Sequence, residues 1–152
     1  MSRLDPEVII SKLSRMVDRI DQLKSLEFLT LEEYLQDELR QRAIERLLEV
    51  IIQAALEINK TLLKRVAGIT PSTPSGAFEN FESFILIGEH GFISQNLAKQ
   101  LAPSGSLRNI LAHEYDNLDP TRVYESFQAA LTQYPQYVQA IQAYLDRLNN
   151  YP

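Results

Sequence analysis

Residues 43–63 read Ala43-Ile44-Glu45-Arg46-Leu47-Leu48-Glu49-Val50-Ile51-Ile52-Gln53-Ala54-Ala55-Leu56-Glu57-Ile58-Asn59-Lys60-Thr61-Leu62-Leu63. One apolar stripe, Ile44, Leu47, Leu48, Ile51, Ala55, Ile58 and Leu62, follows the three-to-four-residue period of an α-helix. A second set, Ala43, Val50 and Ala54, flanked by Ile52, Leu56 and Leu63, carries the apolar surface past one face. A helix lying on a bundle needs one apolar stripe. This one needs cover on a second side, from deeper burial in the bundle or from another subunit. The stretch therefore sets the expected architecture: an all-α, mostly antiparallel helical bundle with one long central helix.

Working outward, the central helix begins after Thr30, a cap residue with Glu33 three positions on. It continues to Ala67, before Gly68. That span is about 37 residues, roughly 55 Å, against a compact radius of gyration near 15 Å for this chain length. The helix is thus either the spine of an elongated bundle or kinked. Upstream, Asp5 caps a first helix that Pro6 opens, and Ile9, Leu13, Met16, Val17, Ile20 and Leu23 form its stripe. Lys12, Arg15, Asp18 and Arg19 lie opposite. Downstream, residues 69–76 form a Pro/Ser loop, followed by helices expected at 77–88, 94–102 and 106–115. Asp119-Pro120 repeats the Asp5-Pro6 start signal, and Tyr134-Pro135 marks a break or kink before the last helix. The 152 residues fit one domain, spanning 1–152.

The composition narrows the chemistry. With no cysteine there is no disulfide, thiolate metal site or cysteine nucleophile, which fits a reducing cytoplasm. Two histidines, His90 and His113, are too few for a zinc site within one chain. No apolar run approaches the ~18 residues of a membrane span, so no membrane partner is expected. The net charge of −5 excludes a bulk basic footprint for nucleic acid, so any such work falls to a local site.

Leu107-Arg108-Asn109-Ile110-Leu111-Ala112-His113-Glu114-Tyr115 is that site's best candidate. On a helical wheel Leu107, Ile110 and Leu111 face the core, Arg108 and Tyr115 share a stripe, and Asn109 and His113 share the next. Asn109 is placed to orient His113. The groups suit phosphodiester chemistry. Histidine exchanges protons near neutral pH, and the guanidinium fork matches phosphate oxygens. RNA supplies its own 2′-hydroxyl nucleophile, so no cofactor or metal is required. Arg108 and His113 are five apart, about 140° around a helix, so two copies related by a two-fold axis serve one phosphate better than one copy. The bland readings stand beside this. A histidine between alanine and glutamate is ordinarily structural or solvated, and His90 reads as a helix C-terminal residue. Lys60, Lys64 and Arg65 read as a solvated helix end, and Arg40, Arg42 and Arg46, among Glu38, Glu45 and Glu49, as helix ion pairs.

Arg108-x4-His113-x-Tyr115 resembles the R-x4-H-x-Y motif of the HepT-like toxins in the HEPN superfamily. With 2 His and 7 Tyr in the chain, this pattern is expected by chance only about 0.006 times, so the short match is specific. The resemblance extends over most of the chain, through Glu45-Arg46, Gln53-Ala54-Ala55, Glu89-His90-Gly91-Phe92-Ile93 and Asp119-Pro120-x-Arg122-Val123-Tyr124. It implies a HEPN-type homodimer whose two motif copies meet in a cleft. The implied activity is metal-independent endoribonuclease cleavage, leaving a 2′,3′-cyclic phosphate or its hydrolysed product. The implied partner is a minimal nucleotidyltransferase antitoxin, within a higher toxin–antitoxin assembly, that transfers AMP to Tyr115. Arg108 and His113 would be catalytic, Asn109 supporting and Tyr115 regulatory. The competing readings are a non-catalytic HEPN partner whose Tyr115 merely accepts AMP, and a plain helical interaction module. A nucleotidyltransferase reading frame beside the gene separates either of the first two from the third.

Overall fold

Asp5 and Thr30 cap helices as their positions predict. The computed structural model describes residues 4–70, 79–113 and 115–149. Helix α1, Pro6–Lys24, starts with the Asp5 carboxylate accepting from the Glu7 amide at 3.0 Å. It buries Ile9, Leu13, Met16, Ile20 and Leu23, while Val17, expected in the stripe, is exposed at its margin. Thr30 and Glu33 form a reciprocal capping box at the start of α2, Leu31–Gln36.

The central helix is not continuous from Thr30. Asp37 is extended, with φ −121° and ψ 91°, and its side chain caps a new helix by accepting from the Arg40 amide. The Gln41 amide group donates to the Tyr34 carbonyl at 2.8 Å and so satisfies the end of α2. Between these bonds the chain turns a corner, which brings Tyr34 against Tyr124 with ring centroids 5.4 Å apart. Helix α3, Glu38–Leu62, then runs 25 residues into a wide turn, Leu63–Ala67, that Gly68 closes with a φ of 71°.

Helix α3 is the centre of the bundle, in contact with α1 and α2 and with three later helices: α4, Glu79–Glu89; α5, Gln95–His113; and α6, Pro120–Asn149. Its second apolar side is covered from within the chain. Ile52, Ala54, Leu56 and Leu63 are all buried, and only Ala43, Leu47 and Val50 keep partial or full exposure. The surplus read from the sequence is therefore mostly intramolecular core.

Helices α4 and α5 form an antiparallel hairpin closed by Gly91, with Phe92 donating back to the Ile87 carbonyl and Gly91 to Gly88. Two expected breaks are absent. Helix α5 runs through Pro103 without ending, so the stretches expected at 94–102 and 106–115 are one helix, which stops at His113. Pro103-Ser104-Gly105 is instead a packing point. A Cβ on Gly105 would lie 2.7 Å from the Asn80 carbonyl, and one on Gly88 would lie 2.5 Å from the Ala98 Cβ. These two glycines set the close approach of the hairpin. Helix α6 likewise continues for 30 residues through Pro135. Its Asp119 cap accepts from the Thr121 amide at 3.1 Å. The expected 69–76 loop and the start at 77 lie largely outside the described residues, which resume at Glu79. Among the described residues no strand occurs and no helix is long and apolar enough to cross a membrane.

Buried polar groups are paired across this core. The Tyr137 hydroxyl donates to Asn59 Oδ1 at 2.6 Å, Asn59 Nδ2 donates to Ser83 Oγ at 3.2 Å, and Ser83 donates to the Asn80 carbonyl at 2.9 Å. Ser104 Oγ donates to the Leu101 carbonyl at 2.6 Å, so the Tyr134 hydroxyl, 2.7 Å away, donates to Ser104. Each bond satisfies a group that would cost about 1–3 kcal/mol if left unmade.

Candidate active site

The C-terminal half of α5 carries the site residues. Leu111 is buried and anchors the helix, while Leu107 and Ile110 are half-buried. His113 is the last residue of α5 and is exposed. Tyr115 opens a short 3₁₀ turn, Tyr115–Asn117. The α-helical stripe expected to join Arg108 with Tyr115 therefore stops short of the tyrosine. Its side chain lies outside the described residues, as does Glu114.

Asn109, expected to orient His113, is itself oriented. Its Oδ1 accepts from Asn80 Nδ2 at 2.8 Å, and Asn80 Oδ1 accepts from Lys60 Nζ at 3.0 Å. Lys60, which sits 3.7 Å from Glu79, is thus part of an amide relay and not the free solvated end read from its position. The ammonium fixes which way the Asn80 amide points, and that fixes the Asn109 oxygen as acceptor. The Asn109 amide nitrogen is then its donor face. Asn80 is itself held by Ser83 and, behind it, Asn59 and Tyr137. Asn80 and Lys60 were not legible as site residues. The only signal was polar residues at buried helix positions, which shows once Asn59, Asn80 and Ser83 are seen to be buried.

Arg108 points elsewhere. It is half-buried, and its Nε is buried without a hydrogen-bond partner among the described residues. It lines a groove of about 640 Å³ between α1, α3 and α5, shared with Arg15, Arg19 and Arg46. Arg46 faces Glu49 at 3.6 Å, and Arg42 bonds Glu45 at 2.7 Å, so the ion pairs read along α3 are present. His90 follows the end of α4, with its amide donating to the Leu86 carbonyl. Arg108 and His113 are five residues apart on one unbroken helix, about 7.5 Å along the axis and 140° around it. The structure therefore offers an unsatisfied guanidinium donor on one side and an exposed imidazole at the helix end.

Two sequence comparisons give the family, and solved structures give the fold. The family described as Ribonuclease HepT-like matches residues 16–141. A protein of Aphanizomenon flos-aquae named tRNA nuclease HepT is 39% identical over 145 residues, covering 95% of each chain. Among solved structures, a cytosolic protein of unknown function, YutE of Bacillus subtilis, superposes with a TM-score of 0.82 at 15% identity, covering 100% of this chain and 98% of that one. A tri-AMPylated HEPN toxin of Shewanella oneidensis in complex with its MNT antitoxin superposes with a TM-score of 0.75 at 23% identity, over 90% and 97%. The two structures carry the fold, and the sequence matches carry the family.

Proposed function

The chain belongs to the HepT-like ribonuclease family, and from that premise we propose that it is the toxin of a toxin–antitoxin pair, an endoribonuclease with transfer RNA as its first candidate substrate. The named nuclease to which it is 39% identical supports this reading most directly. Arg108 and His113 supply the chemistry, and Tyr115 is the regulatory residue. An imidazole removes the 2′-hydroxyl proton, the oxygen attacks phosphorus, and the P–O5′ bond breaks as the leaving oxygen gains a proton from a second imidazole. The product is a 2′,3′-cyclic phosphate. Each chain has one His113, so acid and base come from two copies across a two-fold cleft. Arg108 donates to the phosphate oxygens as charge gathers on them, and Asn109, aimed by Asn80, supports the pair. No metal enters this scheme. The partner is a minimal nucleotidyltransferase that places AMP on Tyr115, a reading supported by the tri-AMPylated toxin of the same fold in complex with an MNT antitoxin.

The test is direct. AMP-free protein incubated with tRNA in excess EDTA should give fragments ending in cyclic phosphate. Light scattering at micromolar concentration should show a dimer. An active monomer would remove the two-copy scheme, and an inactive, folded dimer would favour the reading in which the chain only accepts AMP.

A further inference from the structure

The groove that holds Arg108 carries more positive charge than one scissile phosphate uses. We infer that Arg15, Arg19 and Arg46 form a second phosphate subsite, which holds the RNA backbone beside the phosphodiester that Arg108 engages. This rests on the ribonuclease reading above and names how its substrate strand runs.

The chain as a whole has a net charge of −5, yet four arginines from three helices converge here. Two carboxylates line the same groove, Glu49 and Glu57. Glu57 is taken by Lys12 at 3.2 Å, and Glu49 is 3.6 Å from Arg46, whose side chain keeps 72% of its exposure. Arg15, Arg19 and Arg108 form no ion pair among the described residues. Arg15 and Arg19 are four apart on α1, so their like charges repel, and neither has an acidic partner within ion-pair distance among the described residues. An anion lying between them offsets that repulsion. The guanidinium forks suit phosphate oxygens, and half-buried Leu47 and Val50 on the groove wall offer an apolar surface for ribose and base. A strand whose phosphate sits on Arg108 must place its next phosphates near that helix, and this groove opens there.

The deciding measurement is RNA binding as a function of salt, in protein carrying His113→Ala so that no strand is cut. Each single-strand phosphate that is neutralised adds about 0.7 to the steepness of log affinity against log salt. The combined variant Arg15→Gln, Arg19→Gln, Arg46→Gln should lose at least about tenfold in affinity, with the slope shallower by about 1.4, the value for two phosphates. The matching lysine variant should keep most of the slope, which separates lost charge from lost folding. Arg147→Gln, at the far end of α6, should leave it unchanged. Binding and slope equal to those of the parent in the triple glutamine variant would overturn the subsite, whether or not the unsubstituted protein cleaves. If that protein cleaves no RNA yet the slope still falls, the ribonuclease reading fails and the subsite stands as an RNA-binding groove.

Discussion

His113→Ala should lower RNA cleavage by at least ~100-fold, with the variant folded and its state of assembly that of the unsubstituted protein. That is the usual scale for removing a general acid–base group, about 2.7 kcal/mol of transition-state stabilisation. The imidazole is exposed at the end of α5, so its loss empties no core and should leave thermal unfolding unchanged. Arg108→Ala should cost a similar factor for a different reason. Its buried Nε has no partner among the described residues, so the donor is free to meet the charge that gathers on a bound phosphate. Arg108→Lys keeps the charge but loses the planar fork, and should fall between the two. The measurement is single-turnover cleavage of a labelled tRNA with the protein in excess. Cleavage by His113→Ala at the rate of the unsubstituted protein would refute the assigned acid–base role.

AMP transfer to Tyr115 should abolish cleavage altogether. Tyr115 begins the 3₁₀ turn two residues after His113. Each AMP adds a negative phosphodiester and a bulky nucleoside, which repel and exclude an RNA phosphate. Co-expression with the cognate nucleotidyltransferase should give a mass increase mapped to the peptide containing Tyr115, with no cutting by that material. Tyr115→Phe should remain folded, accept no AMP and stay active in the presence of the partner. AMP found on another tyrosine, or full cutting by protein modified at Tyr115, would reassign the switch. Tyr134 and Tyr137 are buried and hydrogen-bonded within the core, so neither hydroxyl is available to a transferase in the folded chain.

The sequence was most legible where local chemistry and packing agree. Asp5, Thr30 and Asp119 are caps in both readings, and the heptad-like stripes of α1 and α3 are the core. It was least legible where tertiary contacts override a local signal. Pro103 reads as a break and Pro135 as a break or kink, because each removes a backbone donor, but α5 and α6 each continue as one helix through it. Asp37 did the opposite: helical periodicity on either side concealed a cap, and the corner is fixed by Gln41 and Tyr34, seven residues apart. For the site, the motif gave residue identities and spacing but not surroundings. The relay from Lys60 through Asn80 to Asn109 joins residues 20 and 29 positions apart, which no short pattern encodes. The arginine groove was hidden for the same reason, since α1, α3 and α5 each contribute residues that look like ordinary surface charge along their own helix.

The two buried phenols of α6 also govern how the protein meets alkali. Burial pushes the Tyr137 hydroxyl well above its ordinary value, and burial raises Tyr134 too, against a smaller opposing pull from its bond to Ser104. A phenol whose folded value is raised favours the native state while the unfolded chain still binds its proton, so this support is complete below about pH 10. Above that pH the unfolded phenols ionise first, and the support drains away as the pH climbs toward the folded values. The chain has no tryptophan, so its near-ultraviolet signal belongs to tyrosine and phenylalanine alone. A spectrophotometric titration should then show exposed tyrosines ionising reversibly, followed by a steep late step in which Tyr134 and Tyr137 become phenolates only as helical ellipticity collapses.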